Sequence, residues 1–202
     1  MMVPTQTLAH AARAAFHRSS RSSFLVSANS RSRRDKLLEA ADGYLDLGMP
    51  EHALRALREI DDPDRALFAV NLRRGRALRD LQRHDEALEA YGRAFAEEPD
   101  DVDLLMGMAW CFKRTGQLPK AISAMEQAYR IAPKVPVILY NLSCYWSLGG
   151  NKAQALSWLG RALRMDQSLR RLIDDEPDFD PLRHDPDFRM ILDTVDAVRP
   201  PD

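Results

Sequence analysis

Cysteine is nearly missing from this chain: only Cys111 and Cys144 occur in 202 residues. So few thiols exclude a secreted disulfide framework and favour a reducing compartment. Both fall on expected first helices of a repeat, near aromatic positions, which suits packed thiols better than an activated nucleophile. No Gly-x-Ser-x-Gly elbow, phosphate-binding loop or dinucleotide fingerprint is present. The histidines His10, His17, His52, His84 and His184 form no pair with metal-ligand spacing beside a carboxylate or cysteine. Acidic clusters at Asp61-Asp62-Asp64, around Glu97–Asp103 and at Asp174-Asp175-Glu176 lack the alternating oxygens, glycine and distal glutamate of a calcium loop. The expectation is therefore a non-enzymatic chain without metal or cofactor. The one apolar run approaching the length of a membrane span is broken by charges, so no span is expected.

Acid is also missing from the start of the chain. Residues 1–34 hold six of the 29 basic residues and none of the 30 acidic ones, and seven serines lie between Ser19 and Ser32. Arg-rich, Ser-rich and acid-free is the composition of an organellar transit peptide, of a disordered tail, or of a reading frame begun too far upstream. These readings stay open, with a cytoplasmic location expected and an organellar matrix as the alternative. No apolar core follows the charges, which speaks against a secretory signal. The acidic balance of the remainder gives no support to general nucleic-acid binding.

What the chain does have is a period. Ala53, Ala87, Ala121 and Ala155 lie 34 residues apart, and other positions keep step with them. In segments beginning near Arg34, Phe68, Val102 and Pro136, position 8 is small (Ala41, Gly75, Ala109, Ser143). Position 11 is large and apolar (Tyr44, Leu78, Phe112, Trp146). Position 24 holds Leu57, Tyr91, Met125 and Leu159, and position 27 holds Ile60, Ala94, Ala128 and Ala162. Small residues let two helix backbones approach closely while large ones fill the gaps beside them. Gly48, Gly116 and Gly149-Gly150 fall where a first helix should end. Pro50, Pro119 and the pair Asp62-Pro63 are placed to open the next helix, and Asn151 to cap one. A lone helical hairpin cannot bury its apolar face, so each copy needs a neighbour.

Those positions resemble the tetratricopeptide repeat. The second copy carries its pattern as Gly75, Leu78, Ala87, Tyr91, Ala94 and Pro99, and the third as Leu105, Met108-Ala109, Phe112, Ala121, Met125, Ala128 and Pro133. The fourth departs at Gln167 and the first at Arg65, where proline would stand. The resemblance implies an all-α, right-handed superhelical solenoid of antiparallel helix pairs, about four repeats plus C-terminal capping helices. Its expected parts are a basic tail over 1–33, repeats over 34–67, 68–101, 102–135 and 136–167, and a capping segment over 168–202. In that last segment Glu176-Pro177-Asp178-Phe179-Asp180-Pro181-Leu182 is nearly echoed by Asp185-Pro186-Asp187-Phe188. Each Asp-Pro pair suits a helix start. Phe179, Leu182, Phe188, Ile191 and Leu192 are placed to cover the last repeat's apolar edge. The segment resembles the ending of many bacterial repeat proteins, together with Asn141–Tyr145.

The resemblance also implies a ligand surface. First helices of such repeats line a concave groove, with positions 2, 5, 9 and 12 turned to the ligand. Carried over, these are Ala69, Leu72, Arg76 and Arg79; Asp103, Met106, Trp110 and Lys113; and Val137, Tyr140, Cys144 and Ser147, with Arg73 and Asn141 from the neighbouring position 6. The partner-binding set is thus Arg73, Arg76, Met106, Trp110, Lys113, Tyr140, Asn141 and Cys144. Aromatics give contact area at low entropic cost and arginine grips carboxylates. A scaffold or adaptor holding a peptide or protein segment is the expected role, with a secretion or assembly chaperone as the alternative. The chaperone-tail clamp of some relatives needs Lys and Asn where this chain has Leu38 and Asp42, Leu72 and Arg76, or Met106 and Trp110.

Overall fold

The computed structural model describes residues 33–60 and 67–198, which belong to two compact units divided between Arg65 and Ala66. The tail over residues 1–32 and the expected helix start at Asp62-Pro63 lie outside the described residues. In the first unit, residues 33–46 form α1 and Pro50–Arg58 form α2, with Tyr44 and His52 in ring contact at 5.3 Å. The second unit runs α3 (Leu67–Asp80), α4 (His84–Glu97), α5 (Val102–Arg114), α6 (Leu118–Ile131), α7 (Pro136–Leu148) and α8 (Lys152–Met165). Two 3₁₀ turns (Gln167–Leu169 and Pro177–Leu182), the single-turn α9 (Arg170–Ile173) and α10 (Pro186–Val198) complete it. Every regular element among the described residues is helical.

Within the second unit α3 pairs with α4, α5 with α6 and α7 with α8, while α4 packs on α5 and α6 on α7. That is a solenoid of stacked helical hairpins. The reason is the small-residue set: Ala87, Ala121 and Ala155 at one recurring position are fully buried, as are Ala94, Ala128 and Ala162 at another. Backbones come together across those methyl groups, and Tyr91, Met125 and Leu159 fill the space beside them with no exposed surface.

First helices stop by one device in all four copies. The amide N–H of Met49, Arg83, Gln117 and Asn151 donates to the carbonyl of Tyr44, Leu78, Phe112 and Trp146, at 2.8, 2.9, 2.8 and 3.0 Å. This six-to-one bond closes the helix around a left-handed residue. Gly48, Gly116 and Gly150 supply it with φ of 67°, 74° and 72°. In the second copy the residue is Gln82, at φ 59°, so the bonding pattern is kept there without glycine.

The second helices begin as their residues dictate. Proline occupies the first turn of α2 and α6, and the Asn151 side chain accepts from the Gln154 amide at 3.1 Å. The first helix α5 is likewise capped, by Asp101 accepting from the Leu104 amide at 2.7 Å. The third and fourth copies are tied on their second-helix side, where the Arg161 guanidinium lies 4.3 Å from the Trp158 ring and bonds the Tyr129 hydroxyl. Such a stack of cation on aromatic is orientation-specific and strengthened by partial burial.

Past α8 the chain turns back over the last hairpin. Asp185 caps α10, accepting from the amides of Asp187 and Phe188, as the sequence suggests for an Asp-Pro pair. Asp180-Pro181 behaves differently and lies inside the turn Pro177–Leu182. Glu176 with Pro177 has already started that turn, its carboxylate accepting from the Asp178 amide at 3.2 Å. Lys152 at the start of α8 meets Asp187 at 2.8 Å and also pairs with Asp185, fastening α10 to the fourth hairpin.

Candidate functional site

The recurring first-helix positions fall into two groups with different surroundings. The first group lies on α3 and α5. On α5, Met106, Trp110 and Lys113 share one stripe, since residues four and seven apart stack along a helix. Trp110 is half-buried. His84, at the start of α4, meets its ring edge-on at 5.0 Å, and the guanidinium groups of Arg79 and Arg114 stand 6.0 and 5.5 Å from it. Arg79 is held by Asp80 at 2.9 Å, which fixes its reach over the gap between the second and third copies. On α3, Arg73 and Arg76 are half-buried, and Arg73 bonds the Ala69 carbonyl one turn back at 3.1 Å.

The second group, on α7, is covered. Tyr140 and Cys144 keep only 5% and 2% of their surface, and Asn141 beside them is half-buried. The cover is the turn Pro177–Leu182, which packs on α7. Phe179 is fully buried there, edge-on to Tyr140 at 5.8 Å and 5.4 Å from Phe188. Asp178 reaches back to Lys113 on α5, with Nζ to Oδ2 at 2.6 Å and side chains 17% and 9% exposed. Tyr140 and Cys144 therefore meet the chain's own acidic-aromatic segment where the family pattern has a ligand. The sequence places that segment after the last repeat and over its edge. What it does not give is the pairing of Asp178 with a lysine 65 residues earlier.

Cys144, Glu176 and Asp178 each bring one potential ligand atom within 4.8 Å of the others. The positive charge that meets this cluster is the Lys113 ammonium, and the thiol stays protonated. Burial, then the carboxylates of Glu176 and Asp178, push the Cys144 thiol well above its usual range. Burial also lifts Cys111 to about 11. A protonated thiol is a poor nucleophile.

Both cysteines should thus be silent toward a disulfide-exchange reagent in the native protein at mildly alkaline pH and titrate fully on unfolding. Rapid modification of either one in the folded chain would contradict the burial. The linkage has a definite sign. Above about 8.5 the unfolded chain loses thiol protons that the folded chain keeps, so these groups make stability fall as pH rises from there.

With this geometry in view, the tetratricopeptide repeat family profile matches residues 72–136. The match begins inside α3 and runs to the start of α7. Over this stretch the chain is similar to the tetratricopeptide repeat. Solved tetratricopeptide solenoids share the fold. MamA superposes with a TM-score of 0.61 at 21% identity, over 68% of this chain and 81% of that one. MamA AMB-1 gives 0.64 at 18% identity, over 86% and 95%. PilF of Pseudomonas aeruginosa gives 0.64 at 17%, over 86% and 80%. At such identities the likeness is one of architecture. No curated protein matches the chain. No helix among the described residues is long and apolar enough to cross a membrane.

Arg114 and His84 were not among the residues that the tetratricopeptide pattern assigns to a ligand. Arg114 stands one position past Lys113, and His84 opens a second helix. Arg114 lies one turn past Trp110 on α5, so helix spacing alone brings it there, whereas the approach of His84 depends on how the second and third hairpins stack.

Proposed function

We propose that this chain is a non-enzymatic adaptor that holds a peptide or protein segment along the first-helix face of its second and third repeats. Tetratricopeptide repeats are interaction modules, and the fold here has that architecture. The observation that carries the reading is the adjoining segment Glu176–Leu182. It lies on the first helix of the fourth repeat and is gripped from α5 through Lys113. A face that receives one stretch of polypeptide at α7 continues along the Met106, Trp110 and Lys113 stripe toward α3. Trp110 supplies the rigid apolar anchor typical of a binding hot spot, and the arginines beside it supply charge-assisted bonds.

The test begins with peptides selected from a displayed random library on the immobilised full chain. Arg76→Ala with Trp110→Ala should weaken those peptides by about tenfold or more, roughly 1.4 kcal/mol, with helicity and melting retained. Unchanged affinity in a folded double variant would sink the reading. An assembly or secretion chaperone would use the same face, and a partner that precipitates once this chain is withdrawn would mark that role.

A further inference from the structure

The kind of segment accepted by this face, if the reading above holds, follows from how charge is distributed. In the second repeat, charge is sorted by helix. α3 carries Arg73, Arg74, Arg76 and Arg79 against Asp80 alone, while α4 carries Asp85, Glu86, Glu89 and Glu97 against Arg93 alone. α5 adds Lys113 and Arg114 in its last turn against Asp103 in its first. The chain beyond residue 34 holds more acids than bases, so the first-helix face is a basic island on an acidic body. A cluster of one sign beside low-dielectric walls attracts segments of the other sign and rejects its own.

Two local features narrow the partner. Arg114 is exposed, takes part in no ion pair among the described residues, and stands 5.5 Å from the Trp110 ring. Arg79 flanks the same ring. An aromatic surface with guanidinium groups beside it takes an apolar side chain on the ring and carboxylates on the planar forks. One turn further on, the face already receives that chemistry from the chain itself. Asp178 is the carboxylate bound by Lys113, and the next residue, Phe179, is the apolar side chain buried against Tyr140.

We propose that the α3–α5 face binds an acidic peptide segment in which at least two carboxylates stand close to an apolar side chain. The apolar side chain rests on Met106 and Trp110, and the carboxylates meet Arg76 and Arg114.

Three fluorescein-labelled synthetic peptides test this with the full chain. One carries aspartates and glutamates around a Phe and a Leu, the second has every acid replaced by its amide, and the third has every acid replaced by lysine. Fluorescence anisotropy should show the acidic peptide binding about tenfold or more tightly than its amide form, with the advantage shrinking as salt is raised. Arg76→Glu with Arg114→Glu should reverse the order in favour of the lysine peptide. Arg114→Glu alone, at an exposed site, should move in the same direction if the double variant fails to fold. Equal binding of acidic and amide peptides would overturn the inference while leaving the groove reading intact, provided the library peptides still depend on Trp110. Failure of all three peptides overturns it as well, and the library peptides then decide whether the groove reading falls too. Tighter binding of a labelled single-stranded oligonucleotide than of the acidic peptide would overturn it in favour of nucleic acid.

Discussion

Alanine at Gly75 or Gly107 should destabilise the chain by about 1–3 kcal/mol through overpacking. The sign is informative, because Gly→Ala inside an ordinary helix gains up to about 1 kcal/mol. Both glycines sit in first helices, on α3 and α5, and Tyr91 of α4 fills the space against each. A Cβ at Gly107 would stand 2.7 Å from both Cζ and Oη of Tyr91, and one at Gly75 would meet three atoms of the same ring. Tyr91 is fully buried and has nowhere to move. The ring is the joint between the second and third hairpins, and two missing methyl groups make room for it.

Two further results should follow. Tyr91→Ala opens a cavity and should cost about 3–5 kcal/mol, the usual range for a buried aromatic. Tyr91→Leu placed in the Gly107→Ala background should recover much of the loss, since shared space couples the two sites. Urea unfolding of the single and double variants reads all of this. A Gly107→Ala chain as stable as the parent would mean that the hairpins stack at another spacing.

Phe179→Ala should be comparably severe, about 3–5 kcal/mol by the same cavity argument. Its ring has no exposed surface and is packed between Tyr140 and Phe188, while Ile173 and Leu182 nearby are also buried. Removing residues 176–202 altogether should do more than destabilise. It would bare Tyr140 and Cys144, strip Lys113 of Asp178, and leave the apolar side of the fourth hairpin facing water. An unpaired ammonium in a low-dielectric site is costly, and an open solenoid end associates with its own kind. Light scattering together with thermal melting of the shortened chain would register both effects. A truncation that stays monodisperse with an unshifted melting curve would show that the segment covers nothing of consequence.

The two cases differ in how they could be read beforehand. Gly75 belongs to a recurring small position and was legible from the period. Gly107 belongs to no recurring set; its signal was only the cost of a glycine in mid-helix, which has to be repaid by some close approach. Gln82 gave less still. Nothing in a glutamine announces a left-handed φ, yet the stack imposes on it the helix ending that Gly48, Gly116 and Gly150 adopt readily. Tertiary packing overrides local preference there because α4 pairs back on α3 and fixes where it must stop.

The candidate site divides along the same line. Arg76, Met106 and Trp110 are candidates by their places in the repeat. Arg114 reaches Trp110 from one turn further along α5, as helix spacing allows, while His84 joins it only because two hairpins meet. Tyr140 and Cys144 occupy corresponding places one repeat later, but a segment arriving from beyond residue 175 covers them.

By itself the amino-acid order determined the unit: two helices, their ends, and the tiny side chains across which they touch. Each of these repeats along the chain or involves near neighbours, so a period of 34 displays them. The three-dimensional arrangement decided which first-helix positions the C-terminal segment covers, how Tyr91 is lodged between two glycines of different helices, and where Lys113 finds its counter-charge. Those outcomes join residues far apart in the chain, and close packing, which a periodic pattern does not encode, selects among the contacts that such residues can make.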